Sequence, residues 1–146
     1  MGKNISILIY EKEKHLNSIL CQQISDTTYF EPFSVNDHET FSELIHKRKF
    51  DILILNLEDI NYISNNFFDN ILNQNHHSDI IGYCNKFFNK SNINNLNITF
   101  IEKPFRFRTL LQKLEYIKLT KNKNNKIILI KHIEYLPNKK TLFNSR

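Results

Sequence analysis

The side chains that could do chemistry in this chain follow the ends of short apolar runs. They are Glu11 and Lys12, Asn56, Cys84, and Lys103. Carboxylate, amine, thiol and amide groups can bind cations, hold phosphate groups or act as acids, bases and nucleophiles. Open sheets of parallel strands bind ligands at the carboxyl ends of their strands. If the apolar runs are such strands, these side chains meet at one edge and form one candidate site.

The sequence lacks the motifs of several enzyme classes. Phosphate-binding loops need glycine, and neither Gly2 nor Gly82 lies in such a loop, which argues against a dinucleotide-binding or P-loop enzyme. His76 and His77 are adjacent instead of spaced four residues apart, so we interpret them as solvated side chains. No Ser-His-Asp or Cys-His spacing is present. Cys84, read by itself, is a small hydrophobic residue at a strand end.

The run from Phe50 to Asn56 is the centre of the predicted fold. Every residue from Ile52 to Leu55 is apolar, and a strand without polar alternation is covered on both faces. Further strands are predicted at 5–10, 29–35, 79–84 and 97–101. Helices are predicted between and after them, at about 16–24, 37–45, 61–75, 86–96 and 107–119. In the first helix the spacing predicts an inward stripe of Leu16, Ile19, Leu20 and Ile24.

This alternation predicts an α/β fold, a flavodoxin-like (βα)5 doubly wound parallel sheet. Pro32 cannot donate a ladder hydrogen bond, so the second strand belongs at an edge of the sheet. Right-handed crossovers then favour the strand order 2-1-3-4-5. We predict this domain over residues 1–119, a polar linker at 120–126, and a short C-terminal β-hairpin over 127–146.

With these elements in place, the chain resembles the receiver domain of two-component response regulators over residues 5 to about 119. The matching segments are Ile7–Lys12, Asp51–Asn56 and Ile101–Phe105, with Lys103 and Pro104 as the strongest local match. In that family, acids after the first strand and an aspartate ending the third bind Mg²⁺, and this aspartate accepts a phosphoryl group. A Thr or Ser after the fourth strand and a Lys after the fifth contact the phosphate. Phe100 stands at the position of the family's switch aromatic.

The same resemblance implies that the phosphate site is degenerate. Asn56 stands at the acceptor position, and an amide is a poor nucleophile. Lys12 replaces the second acid and puts a cation where Mg²⁺ would lie, although metal neutralisation supplies much of the catalysis of phosphoryl transfer. Cys84 replaces the Thr or Ser after the fourth strand. Of the family's phosphate-site residues, only Glu11 and Lys103 are retained. We therefore expect a non-enzymatic pseudo-receiver with neither a metal nor another cofactor.

The resemblance also implies the partners of a signalling protein, such as a histidine kinase or another regulator. Receivers pair through the face made by their fourth helix, fifth strand and fifth helix, and we expect a homodimer or a heterodimer there. The charged side chains available for that contact are Arg106, Arg108, Lys113 and Glu115.

Charge is distributed unevenly along the chain. Residues 103–146 contain 12 Lys and Arg residues against two acidic ones, whereas residues 1–102 contain 8 basic and 13 acidic residues. A basic C-terminal third suits weak, non-specific DNA binding, or it is a solvated tail. Residues 128–143 resemble the opening strands of a winged-helix effector domain, without the helices that would read a DNA groove.

The apolar runs, of about five residues, are too short to span a bilayer, and Cys21 and Cys84 suit a reducing compartment. We expect a cytoplasmic protein without a signal peptide or membrane contact. Three alternatives stay open. The first is a working phosphorelay receiver with an unorthodox acceptor, for which Asp59 is the nearest candidate although we expect it to face solvent. The second is a DNA-binding regulator, and the third, a flavodoxin-like enzyme, is disfavoured by the missing glycine loops.

Overall fold

The computed structural model of the protein describes residues 4–60, 78–89 and 98–133, without the side chains of Ile60 and of residues 122–133. The described elements are β1 (Ile5–Tyr10), α1 (Lys14–Ser25), β2 (Phe30–Val35), α2 (His38–Lys47), β3 (Ile52–Asn56), α3 (Leu57–Ile60), β4 (Asp79–Cys84), β5 (Ile98–Glu102) and α4 (Phe107–Ile133). The chain forms two compact units, Met1–Leu111 and Gln112–Arg146, and α4 runs from the first unit into the second.

The five strands form one parallel sheet in the order β2-β1-β3-β4-β5. This confirms the predicted flavodoxin-like topology. Pro32 lies in β2, at the edge of the sheet, where it is in register with Ile7. An edge strand can lack one ladder donor without leaving a buried carbonyl unpaired.

β3 lies at the centre of the sheet and is buried along its whole length. Its register with its neighbours pairs Leu55 with Tyr10 of β1 and Asn56 with Tyr83 of β4. Residues in register on parallel strands point to the same face of the sheet. The register therefore places Asn56 and Tyr83 on one face, at the carboxyl edge.

The main apolar core lies on the other face of the sheet, under α2. Leu8, Leu53 and Ile80 from the strands pack there with Phe41 and Ile45 of α2. The ring of Tyr10 stacks on that of Phe41 with 5.0 Å between centroids. Asp37 caps α2, accepting the Thr40 N–H at 2.8 Å, and that hydrogen bond holds the pKa of Asp37 below its usual value.

One side chain of the predicted inward stripe of α1, that of Ile19, faces solvent instead of the core. Leu20 and Ile24 are buried as predicted, but Ile19 is 54% exposed and Asn17 is buried in its place. The physical reason is a pair of hydrogen bonds that Asn17 donates to the backbone carbonyls of Glu11 and Val35. A polar residue whose donors are paired can occupy a core position. Asn17 does so here, and the apolar stripe of α1 is displaced towards solvent at Ile19.

The C-terminal elements differ from the prediction. The predicted linker at 120–126 and the first strand of the predicted hairpin are instead helical as far as Ile133. No Gly or Pro follows Pro104 until Pro137, so neither of the two residue types that disfavour a helix most strongly interrupts this stretch. The rest of the predicted hairpin, all of the predicted third helix and most of the predicted fourth lie outside the described residues. Lys86 and Phe87, at the predicted start of that fourth helix, form a turn.

Among the described residues, no helix is both long and apolar enough to cross a membrane.

Candidate functional site

The carboxyl ends of β1 and β3 bring Glu11 and Asn56 into contact. Asn56 Nδ2 donates a 2.8 Å hydrogen bond to Glu11 Oε1. Both side chains are nearly inaccessible, with exposed fractions of 2% for Glu11 and 5% for Asn56. The amide is therefore used as a hydrogen-bond donor to a buried carboxylate.

Tyr83 of β4 is the third member of this buried cluster. Its hydroxyl donates a 2.5 Å hydrogen bond to Glu11 Oε1, while Glu11 Oε2 accepts the backbone N–H of Glu13 at 2.9 Å. Burial raises the pKa of the Tyr83 hydroxyl well above its usual value, and the hydrogen bond and negative charge of Glu11 raise it further. The hydroxyl thus stays protonated and keeps donating.

A second polar cluster, centred on Glu58 of α3, adjoins the cluster of Glu11, Asn56 and Tyr83. Lys103 Nζ forms an ion pair with Glu58 Oε1, and Asn85 Nδ2 donates to Glu58 Oε2. The backbone N–H of Glu58 donates to Asn56 Oδ1 at 3.1 Å, which joins the two clusters. Lys103 Nζ also lies 5.5 Å from the centroid of the Tyr83 ring. The charge of Lys103 is therefore already compensated by a carboxylate of the same chain.

Asp59 lies at this site, where we expected it to face solvent. It is partly buried and accepts the backbone N–H of Lys12 at 2.9 Å. Burial is the main cause that raises the pKa of Asp59; the Lys12 N–H opposes the shift and the adjacent Glu11 adds to it. The short helix α3 explains the difference, because it begins directly after Asn56 and its third residue, Asp59, contacts the Lys12 N–H that follows β1.

Cys84 is not part of the polar cluster. Its side chain is 2% exposed and belongs to the apolar core on the opposite face of the sheet. Alternation along β4 causes this, since Tyr83 and Cys84 must point to opposite faces. Tyr83 is therefore the β4 side chain that faces Glu11 and Asn56, where we expected Cys84. Phe100 is partly buried and packs against the same apolar core as Cys84.

The remaining predicted residues lie on the surface. The side chain of Lys12 is exposed, as are those of Arg106 and Arg108 in the first unit and of Lys113 and Glu115 in the second. The predicted fourth helix, which would complete the pairing face, is mostly outside the described residues. Within the described part of the chain, no group of three or more His, Cys, Asp or Glu side chains is placed to hold a metal ion.

Sequence reasoning missed three members of the site: Glu58, Tyr83 and Asn85. Two signals were present in the sequence. Glu58 and Asp59 follow Asn56 almost directly, and period-2 alternation along β4 allows only one of Tyr83 and Cys84 to face Asn56. Choosing between those two needs the register of β3 and β4, which only the structure supplies.

The sequence matches no protein-family model and no curated protein. The fold, by contrast, is similar to many solved structures. The chemotaxis response regulator CheY4 of Vibrio cholerae is 16% identical with a TM-score of 0.67, over 79% of this chain and 99% of that one. The N-terminal domain of the nisin resistance regulator NsrR, a lantibiotic response regulator, is 20% identical with a TM-score of 0.64, over 79% and 98%.

NtrX from Brucella abortus, solved in complex with ADP, is 20% identical with a TM-score of 0.68. The match covers 88% of this chain but 30% of NtrX, so the chain spans less than a third of that protein's length. At such identities the similarity establishes the fold, which is that of response regulator receiver domains.

Proposed function

We propose that this chain is a receiver-like signalling module that binds partner proteins and does not accept a phosphoryl group. The observation that carries the proposal is the hydrogen bond from Asn56 to the buried Glu11 carboxylate. An amide offers no carboxylate nucleophile, and here its nitrogen is committed to a neighbour. Phosphoryl transfer depends on a positioned nucleophile and on metal neutralisation of the transferred group.

The arrangement around Glu58 supports the same proposal. In receivers, as the resemblance implies, a Lys after the fifth strand contacts the phosphate. Here Lys103, which follows β5, forms an ion pair with the Glu58 carboxylate, and Asn85 donates to the same carboxylate. Glu58 thus supplies an anion of the chain itself to the lysine that would hold a phosphate. The site is hydrogen-bonded and charge-compensated without modification.

Phosphorylation by a small phosphodonor tests the proposal directly. The full chain is incubated with acetyl phosphate, with and without Mg²⁺, and its intact mass is measured. We expect no mass increase, while a receiver domain with an intact acceptor aspartate gains one phosphoryl group under the same conditions. Stoichiometric, Mg²⁺-dependent phosphorylation of the unmodified chain would refute the proposal.

A variant of Asp59 tests whether this residue is an alternative phosphoryl acceptor. Its contacts with the Lys12 N–H and the nearby Glu11 place it at the site, which favours it over other carboxylates as an unorthodox acceptor. Phosphorylation that Asp59→Asn abolishes would identify the chain as a working phosphorelay receiver. Equal absence of phosphorylation in the native chain and in Asp59→Asn is the expected result.

The proposed module acts through partners, which include a histidine kinase or another regulator. We propose a weak homodimer or heterodimer that uses Arg106, Arg108, Lys113 and Glu115, since these side chains are exposed and carry both signs of charge. Exposed ion pairs contribute about 0–1 kcal/mol each, so the association should weaken with salt. Sedimentation that shows a monomer at high protein concentration in low salt would contradict it.

The basic C-terminal third favours a second candidate function, DNA binding. Its 12 Lys and Arg residues against two acids would neutralise phosphates without reading bases, so binding should be weak and salt-sensitive. Gel shifts in low salt should give a diffuse complex that disappears near physiological salt. A sharp, salt-resistant complex with one DNA sequence would indicate a sequence-specific regulator instead.

A further inference from the structure

An apolar groove of about 630 Å³ lies between α1 and the segment that joins β5 to α4. Leucine and isoleucine side chains of α1 form one wall, and Pro104, Phe105 and Phe107 form the other. Ile19, in the first wall, is 54% exposed. Small-molecule sites have volumes of about 300–1,000 Å³ and are mostly apolar, with a few polar groups that orient the ligand. The groove has the size and the apolar walls of such a site.

Three polar side chains complete the lining of the groove: Gln23, Asn85 and Lys103. Asn85 and Lys103 both contact the carboxylate of Glu58, which does not itself line the groove. An ammonium group offers three N–H donors, and Glu58 accepts one of those of Lys103. Lys103 can therefore donate to an oxygen of a ligand, either beside Glu58 or in its place.

The charges around the groove favour an anion. Lys103 is followed by Arg106 and Arg108, both exposed, and this segment contains no Asp or Glu. α1 contains none either, and the Glu13 carboxylate at its N-cap is committed to the Leu16 N–H at 2.5 Å. Among the described residues that line the groove, none is acidic. Positive charge beside apolar walls complements a ligand with an apolar body and one negative group.

We propose that this groove binds a small amphipathic carboxylate, a molecule with an apolar chain or ring system of about ten carbons and one carboxylate group. The apolar body lies between α1 and Phe105, and the carboxylate accepts a hydrogen bond from Lys103. Because Glu58 holds the same ammonium group, the ligand and Glu58 compete for it. The ligand therefore weakens the contact between α3 and the segment after β5. This binding site goes beyond the proposed binding of partner proteins and does not depend on it.

An NMR titration of the full, ¹⁵N-labelled chain tests the proposal. The probes are decanoate, which carries a flexible chain, and 2-naphthoate, which carries a flat ring system. Decylammonium, with the same chain as decanoate and the opposite charge, is the matched control ligand. We expect at least one of the two carboxylates to shift the amide signals of α1 and of residues 103–107, with half-saturation at about 1 mM or below. Decylammonium should bind at least about tenfold more weakly than decanoate, and added salt should reduce that difference.

Two variants of the ion pair separate recognition of the carboxylate from adsorption of an apolar chain. Glu58→Gln removes the competing charge, so it should tighten decanoate binding about threefold or more, because Lys103 then serves the ligand alone. Lys103→Gln retains a donor but removes the positive charge. It should weaken decanoate binding about tenfold and abolish the preference for decanoate over decylammonium.

Two further variants locate the apolar part of the site. Ile19→Gln should weaken decanoate binding about fivefold, because it replaces an apolar wall of the groove by a polar group without adding charge. Leu119→Gln changes another exposed aliphatic side chain on a helix, 63% exposed and not part of the groove lining, and should leave binding unchanged. Circular dichroism checks that all four variants stay folded.

Several outcomes would overturn the proposal. They are an unchanged spectrum with both carboxylates at millimolar concentrations, equal affinity for decanoate and decylammonium, and folded variants of Glu58 and Lys103 that bind decanoate as the native chain does. Binding that Ile19→Gln leaves intact would place the ligand elsewhere and would also refute the site. None of these measurements involves acetyl phosphate or a partner protein, so the ligand site and the proposed signalling function can fail separately.

Discussion

The hydroxyl of Tyr83 lies 2.5 Å from Glu11 Oε1, an oxygen that also accepts the amide of Asn56. In the described structure, a carboxylate that is 2% exposed is thus held by neutral hydrogen-bond donors. An ionised carboxylate is costly to bury unless its oxygens are hydrogen-bonded. The network therefore holds the ends of β1, β3 and β4 in one arrangement, with the Glu11 carboxylate bound to Asn56 and Tyr83.

Tyr83→Phe should destabilise the protein by about 1–3 kcal/mol, because it removes a buried donor and leaves Glu11 Oε1 with less compensation. Urea unfolding at neutral pH measures the change in the free energy of unfolding. Tyr116→Phe is the matched control, since Tyr116 is 70% exposed, and it should change that free energy by less than about 0.5 kcal/mol. Equal effects of the two variants would show that the hydroxyl of Tyr83 contributes nothing.

Asp59→Asn should stabilise the protein near neutral pH. Burial and then the negative charge of Glu11 raise the pKa of Asp59 in the folded state, although the Lys12 N–H opposes them. An acid with a raised folded-state pKa destabilises the fold as the pH rises through that pKa, and the penalty is absent below the unfolded-state pKa. The asparagine can still accept the Lys12 N–H, so we expect a gain below about 1 kcal/mol at this partly solvated position.

Unfolding experiments at several pH values check the sign of this effect. The difference between Asp59→Asn and the native chain should vanish as the pH falls. Asp37→Asn serves as a control of opposite sign, since the Thr40 N–H lowers the pKa of Asp37. That variant should lose stability at neutral pH, and its difference should also disappear in acid. A pH-independent gain for Asp59→Asn would show that its charge is not the cause.

The topology was predictable from the sequence because it depends on patterns that one strand or helix carries by itself. The unbroken apolar run Ile52–Leu55 indicated a central strand, and Pro32 indicated an edge. Both hold in the structure. Helix caps depend on local sequence in the same way, since the carboxylate of Asp37, directly before α2, caps that helix.

The contacts of the site were less predictable, because they depend on relations between elements. Assigning the pocket position to Tyr83 in place of Cys84 needs the register of β4 against β3. The burial of Asn17 in place of Ile19 depends on the carbonyls of Glu11 and Val35, which lie in other parts of the chain. The helical continuation to Ile133 shows that a Lys- and Asn-rich stretch was too weak a signal for a linker.

Gly82→Ala should destabilise the protein by about 1–3 kcal/mol through overpacking. A Cβ at Gly82 would lie 2.7 Å from Leu57 Cδ1, and Leu57 is fully buried at the start of α3. The double variant Gly82→Ala with Leu57→Ala should be more stable than the sum of the single effects predicts, because the shortened side chain makes room for the new methyl group. Strict additivity in urea unfolding would contradict this contact.

Asn56→Asp alone should not restore phosphorylation. It replaces the donor that lies 2.8 Å from Glu11 Oε1 by a carboxylate oxygen, so a hydrogen bond is lost and a like charge is added. We expect a loss of about 2–4 kcal/mol near neutral pH. Acid should reduce the loss, because a protonated carboxyl can again donate to Glu11. Thermal unfolding at neutral and at acidic pH measures the loss of stability, and acetyl phosphate labelling shows whether the variant is phosphorylated.

The double variant Asn56→Asp with Lys12→Asp should recover Mg²⁺ binding. The positive charge of Lys12 acts to lower the pKa of Asp59, so the exchange removes a cation whose field reaches the site and adds two acids to Glu11 and Asp59. Two cations about 4 Å apart repel by about 4 kcal/mol per unit charge product at an effective dielectric of about 20. Exposure of the Lys12 side chain reduces that repulsion without removing it.

Mg²⁺ should raise the melting temperature of the double variant and leave that of Lys12→Asp alone nearly unchanged. The double variant should then be labelled slowly by acetyl phosphate. A folded double variant whose melting temperature does not respond to Mg²⁺ would show that residues 12 and 56 do not decide whether the site binds this metal.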